Sequence, residues 1–257
     1  MVKQNHGDLI MNVNEKNENL LFNNHMTLIA NKEAYEIIKK KSKDYATLMS
    51  YYKCAMMEIE TKFNVLKEQF SLEQDRNPIN SVSSRIKSVH SIREKLERKG
   101  HDFTLEDIEN NIFDVAGVRV VCSFKQDVYN LADALLKQDD VTLIDTKDYI
   151  KYPKDNGYRS LHIIVEIPIF LSHEKRMMKV EIQLRTIAMD FWASLEHQLK
   201  YKKENEFTEQ MIKDLQECAD ISAELDTKMD NLRRSVFSPF LAPEYEQSIQ
   251  NKLSDKN

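Results

Sequence analysis

The sequence predicts an α/β (α+β) fold, a mixed sheet of four or five strands wrapped by helices, with long helices towards both ends of the chain. Three observations carry that expectation. Tyr45, Leu48, Tyr52, Ala55, Ile59, Phe63, Leu66 and Phe70 recur at steps of three and four, which draws one apolar stripe along a helix. Met178–Arg185 alternates, with Val180, Ile182 and Leu184 on one side and Glu181, Gln183 and Arg185 on the other, the period of a strand. Val115–Phe124 is β-branched and apolar, as a buried strand is.

Each element follows in order. Residues 1–24 hold seven asparagines and few apolar side chains, so a disordered extension is expected. A long helix runs from about Thr27 to Gln74 and is stopped by Asn77-Pro78. A second helix covers about Ser84–Lys99, with Gly100 just past its end. After the Val115–Phe124 strand come a short helix at Val128–Leu136 and strands at Val141–Tyr149, Ser160–Ile167 and Met178–Arg185. Helices at about Thr186–Lys202 and Thr208–Arg234 close a single domain spanning 25–238, before a flexible tail at 239–257.

Composition narrows the function. Four glycines in 257 residues cannot spell G-x-G-x-x-G or G-x-x-x-x-G-K-[ST], which removes the dinucleotide fingerprint and the P-loop. The formal charge of -5 argues against a polycation that coats nucleic acid, and no DNA partner is expected. Three separated cysteines give no disulfide framework and no cysteine zinc site, which fits a reducing cytoplasm. The first 24 residues lack the apolar core of a secretory signal, and no apolar stretch is long enough for a bilayer.

Four segments can carry chemistry. Ser81–Gly100 holds six cations against two carboxylates, net +4. On a helix Lys87, Ser91, Lys95 and Arg98 share a face, which suits a polyphosphate; a solvated helix face fits as well. Asp114 opens a buried strand beside Gly117 and suits a metal, or else is a turn aspartate. Glu181, on the polar side of its strand with Gln183 and Arg185, suits a metal ligand or a general base, or else faces solvent on an edge strand. Asn156-Gly157 marks a turn after Lys154. If the next strand begins at Tyr158, then Tyr158, Ser160 and His162 point one way, which suits base stacking and phosphate contact; a tyrosine packed on a hairpin fits too.

In chain order, Arg85-Ile-Lys87, Asp114-Val-Ala-Gly-Val-Arg119, Asn156-Gly-Tyr-Arg-Ser-Leu-His162, Val180-Glu-Ile-Gln-Leu-Arg-Thr186 and Phe191-Trp-Ala-Ser-Leu-Glu-His197 resemble the synthetase domain of the RelA/SpoT superfamily. The likeness runs from about Tyr45 to Arg234 and is greatest to the single-domain small alarmone synthetases. It implies a nucleotidyltransferase-like fold, commonly a homotetramer, and transfer of the β,γ-diphosphate of ATP to the 3′-hydroxyl of GDP or GTP. On that resemblance Asp114 and Glu181 bind Mg²⁺, with Glu181 also the base. Arg85 and Arg119 sandwich adenine, and Lys87, Ser91, Lys95 and Arg98 hold the ATP phosphates. Tyr158 stacks on guanine, Lys154 and His162 reach the acceptor's phosphates or the transferred group, and Gln183 contacts the acceptor side.

His101-Asp102 spells the metal pair of alarmone hydrolases, but fewer than a hundred residues precede the synthetase motifs, and no hydrolase activity is expected. Trp192 is expected to anchor core. Asp190 stands where some small synthetases carry asparagine at an alarmone-binding cleft, so stimulation by alarmone is not expected. The Tyr45–Phe70 stripe offers surface for subunits to share. Two other functions compete: a toxic relative that modifies the tRNA 3′ end, and an inactive nucleotide sensor.

Overall fold

The computed structural model describes residues 6–73, 76–202 and 208–237, with side chains from 36 onward apart from 37, 38, 73, 200–202 and 237. The elements are α1 (His6–Glu73), β1 (Ile79–Ile86), α2 (Val89–Arg98), α3 (Leu105–Asn111), β2 (Ala116–Cys122), α4 (Lys125–Leu136), β3 (Thr142–Asp148), β4 (Leu161–Phe170), β5 (Lys175–Thr186), α5 (Ile187–Lys202) and α6 (Glu209–Phe237). Residues Met1–Met49 and Ser50–Asn257 form two separate units.

α1 starts at His6, well before Thr27, so helical backbone occupies residues where a disordered extension was expected. No proline falls within it and no glycine follows Gly7, so nothing stops a nucleated helix from propagating at one hydrogen bond per residue. The tail from residue 239 lies outside the described residues. Among those described, no helix is long and apolar enough to cross a membrane.

Five strands pair in the order β1-β2-β5-β4-β3, parallel between β2 and β5 and antiparallel elsewhere. β1 is the main departure from expectation. Ser84–Ile86 is strand, not helix, because Val82–Ile86 finds antiparallel backbone partners at Ala116–Val120. The helix therefore begins only at Val89, capped by Ser88, whose hydroxyl accepts from the Ser91 amide at 3.2 Å. α3 was not foreseen; seven residues are too few to show a period.

The pleat divides the sheet into a buried and an open face. Val118, Ile182 and Ile163 are register neighbours on the buried face, as are Val120, Leu184 and Leu161. Tyr52, Ala55, Ile59, Phe63 and Leu66 of α1 are also buried. From Tyr52 to Leu66 the α1 stripe is thus core and not spare surface for a subunit. Its place as exposed apolar surface is taken by α6, where Ile221, Leu225, Met229, Leu232 and Val236 stay exposed at steps of three and four. Trp192 is core as expected, with its indole donating to Leu215 O at 3.0 Å.

Candidate active site

Sheet register assembles the site. One row of the open face runs Arg85, Gly117, Glu181, Ile164, Asp145 across all five strands. The next runs Ser83, Arg119, Gln183, His162, Lys147. Residues from Ser83 to Gln183 therefore meet because side chains alternate and strands are about 4.8 Å apart. Gly117 brings no side chain to its row, which leaves open the space between Arg85 and Glu181.

Two clefts lie on this face. The first, of about 230 Å³, is lined by Ser83, Ser84, Arg85, Gly117, Val118, Arg119 and Gln183. The second, of about 240 Å³, takes Asp114, Glu181, His162, Lys95, Lys99 and Lys154 among its walls, together with Tyr149 and Lys147. Asp114 sits just before β2. Its Oδ2 receives Lys87 Nζ at 2.9 Å and Lys95 Nζ at 2.8 Å, while Oδ1 is buried without a hydrogen-bond partner. Lys87 is not on a helix, then; it joins Lys95 from the β1–α2 connection.

A closed ring of contacts surrounds Glu181. His162 Nδ1 lies 3.3 Å from its Oε1, and Gln183 Nε2 donates to Oε2 at 2.8 Å. His162 Nε2 and the Tyr158 hydroxyl are 2.8 Å apart. Arg185 Nη2 donates to that hydroxyl at 2.5 Å and to Gln183 Oε1 at 2.9 Å. Burial would raise the Glu181 carboxyl, but His162 and Gln183 outweigh it and hold the group below its ordinary value. Asp114 follows the same logic: burial opposes, Lys95 and Lys87 prevail, and the carboxylate is held low. Both are ionised at neutral pH.

The comparisons with known proteins fit this geometry. The profile described as the region found in RelA / SpoT proteins matches residues 84–206. The GTP pyrophosphokinase YwaC of Bacillus subtilis (strain 168) is 43% identical over 199 residues, spanning 77% of this chain and 95% of that protein. The crystal structure of small alarmone synthetase 2 from the same species aligns with a TM-score of 0.69 and 42% identity, over 75% of this chain and 100% of that one. The chain belongs to the small alarmone synthetases of the RelA/SpoT superfamily. A second member of the family, small alarmone synthetase 1 from Bacillus subtilis bound to its product pppGpp, aligns with a TM-score of 0.66 and 36% identity, over 72% and 94% of the two chains.

Within this small alarmone synthetase, Arg85, Arg119 and Gln183 line one cleft, and Asp114, Glu181, His162, Lys95 and Lys154 line the other. Gln183 was expected on the acceptor side; it walls the arginine cleft and reaches across to Glu181. Arg98 is exposed in the last turn of α2 and lines neither cleft, whereas Lys99 does. Ser91 closes the helix start, accepting the Ser88 hydroxyl at 3.0 Å.

β4 begins at Leu161, so Tyr158 meets His162 through its hydroxyl and not by strand alternation. Ser160 is buried and donates to Leu184 O at 3.1 Å. The Tyr158 ring packs on Trp192, Ala193 and Ala219, with Lys154 Nζ 4.9 Å and the Arg185 guanidinium 5.1 Å from its centroid.

Tyr149 was missed. It stands edge-on to His162 at 5.3 Å and carries Lys154 over its ring at 4.7 Å. No local signal marks it, since only the β3–β4 pairing brings it to the cleft. Asp190 is not a bare charge: it pairs with Arg185 at 3.2 Å and Arg119 at 3.4 Å. His101 pairs with Asp107 at 3.4 Å. Among the described residues, no group of three or more His, Cys, Asp or Glu is placed to hold a metal ion.

Proposed function

We propose that this chain is a GTP pyrophosphokinase which transfers the β,γ-diphosphate of ATP to the ribose 3′-hydroxyl of GDP or GTP, giving ppGpp or pppGpp and AMP. The observation that carries this is the shared sheet face, where one cleft is walled by arginines and the other by ionised Asp114 and Glu181 together with lysines, a histidine and a tyrosine. Arg85 and Arg119 flank the first cleft and take adenine between them. Lys87, Ser91 and Lys95 serve the triphosphate, with both lysines gathered at Asp114. Tyr158 and Lys154 take the guanine nucleotide, and Glu181 accepts the 3′-hydroxyl proton while His162 holds it in place.

The residues also fit Mg²⁺. Asp114 Oδ1 is a buried oxygen without a partner, and both carboxylates face one cleft, the hard oxygen donors that such an ion takes. Bound there, the ion supplies charge neutralisation on the phosphates. The side chains supply alignment, which phosphoryl transfer needs more than covalent help.

A homotetramer in the cytoplasm completes the proposal. The exposed apolar stripe on α6 supports assembly, and three unpaired cysteines suit a reducing compartment. Incubation with ATP, Mg²⁺ and one acceptor at a time tests the activity. AMP release that needs GDP or GTP is expected, with no Mn²⁺-dependent breakdown of ppGpp. Release that needs tRNA alone, or none with any acceptor, contradicts it.

A further inference from the structure

Asp190 stands just past the end of β5, within reach of one arginine on β2 and one on β5. It lies in the first turn of α5, where a carboxylate also suits the helix dipole. Its Oδ1 accepts from Arg185 Nη1 at 3.2 Å and lies 3.4 Å from Arg119 Nη1. Arg119 walls the donor cleft. Arg185 reaches the other way, to the hydroxyl of Tyr158 and to Gln183.

Three guanidiniums crowd this corner. Burial, and the charges of Arg185 and Arg85, pull Arg119 below its ordinary value, with Asp190 opposing them. The Arg185 side chain is only 6% exposed, and a cation so buried needs a counter-charge. Among the described residues, Asp190 is the carboxylate paired with both Arg119 and Arg185.

We propose that Asp190 is a positioning residue that couples the two nucleotide sites, setting Arg119 for the donor base and, through Arg185, Tyr158 for the acceptor base. This rests on the function proposed above. Asp190 lines neither cleft and its ion pairs run to Arg119 and Arg185, so it acts on binding and not on the reacting atoms. Without its charge, Arg119 and Arg185 repel unopposed, and both sites loosen together.

Asp190→Asn keeps the shape and removes the charge. Binding of a non-hydrolysable ATP analogue alone, and of GDP alone, is measured with Mg²⁺ present for the wild type, Asp190→Asn and Asp190→Glu. Both dissociation constants are expected to rise roughly three- to tenfold in the Asn variant and to recover together in the Glu variant. A change in one nucleotide only, or a lower Tm with both constants unchanged, overturns the proposal. If the Asn protein does not fold, Asp190→Ser provides the second neutral variant with the same two outcomes. Because the readout is binding, a wild-type protein that releases no AMP counts against the reaction while leaving this coupling decided.

Discussion

Glu181 is ionised before any substrate arrives, because His162 and Gln183 outweigh its burial. The base proposed for the 3′-hydroxyl must be unprotonated to work, which a carboxyl held this low satisfies at neutral pH. Glu181→Gln keeps the shape of the side chain and cannot accept the 3′-hydroxyl proton. Its kcat is expected to fall by about 10²–10⁴ with an unchanged circular dichroism spectrum; turnover near the wild-type value would remove Glu181 from the role of base. The residue types at the site were legible as chemistry: a strand glutamate, an aspartate before a glycine, a run of cations. Their meeting was not. Lys87 and Lys95 converge on one oxygen of Asp114 although they come from different elements, and only the tertiary fold sets that distance.

Among the elements, β5 was readable because one side is buried and the other polar, so its alternation shows in the sequence. β1 was not. It is a sheet edge rich in serine, and most of its side chains are exposed, so no apolar period marks it. Gly157 shows how elements constrain each other. Its φ is +84°, and a Cβ there would lie 2.4 Å from the Cβ of Ala219 on α6. Gly157→Ala is expected to destabilise by about 1–3 kcal/mol in urea unfolding. Measured against Ala219→Gly alone, which itself costs about 1 kcal/mol in a helix, the penalty of Gly157→Ala is expected to lose the part due to contact but not the part due to φ. An equal penalty in both backgrounds would mean that Ala219 does not press on this turn.

Asp226 ties α6 to the end of β5 through the Thr186 hydroxyl at 2.8 Å. Burial raises its carboxyl above the ordinary 3.8, only partly offset by that hydrogen bond. A raised acid favours the fold when protonated, and that contribution is lost as pH rises through its folded value. The stability of Asp226→Asn relative to wild type should therefore increase from pH 3.5 towards neutrality in urea midpoints. A constant or shrinking difference would contradict the burial argument.

For the whole molecule, a net charge of -5 coexists with a face that gathers Arg85, Lys95, Lys99, Arg119, Lys147 and Lys154, with Lys87 reaching in to Asp114. The average was visible in the sequence; the concentration needed the sheet, because these residues are spread over nearly seventy positions. Four glycines exclude the glycine-rich phosphate loops, so in the proposed reaction side-chain cations take over the grip on phosphate. Apolar residues exposed along α6 lead to an expected light-scattering mass of four 30.2 kDa chains, and a monomer mass would exclude the tetramer.

The proposed reaction moves the diphosphate as a unit across one sheet face. ATP labelled separately at its β- and γ-phosphates, incubated with unlabelled GTP and Mg²⁺, tests it. Both labels are expected on the 3′ position of pppGpp, with one unlabelled AMP released per product. Transfer of the γ label alone, with ADP as the other product, would contradict it.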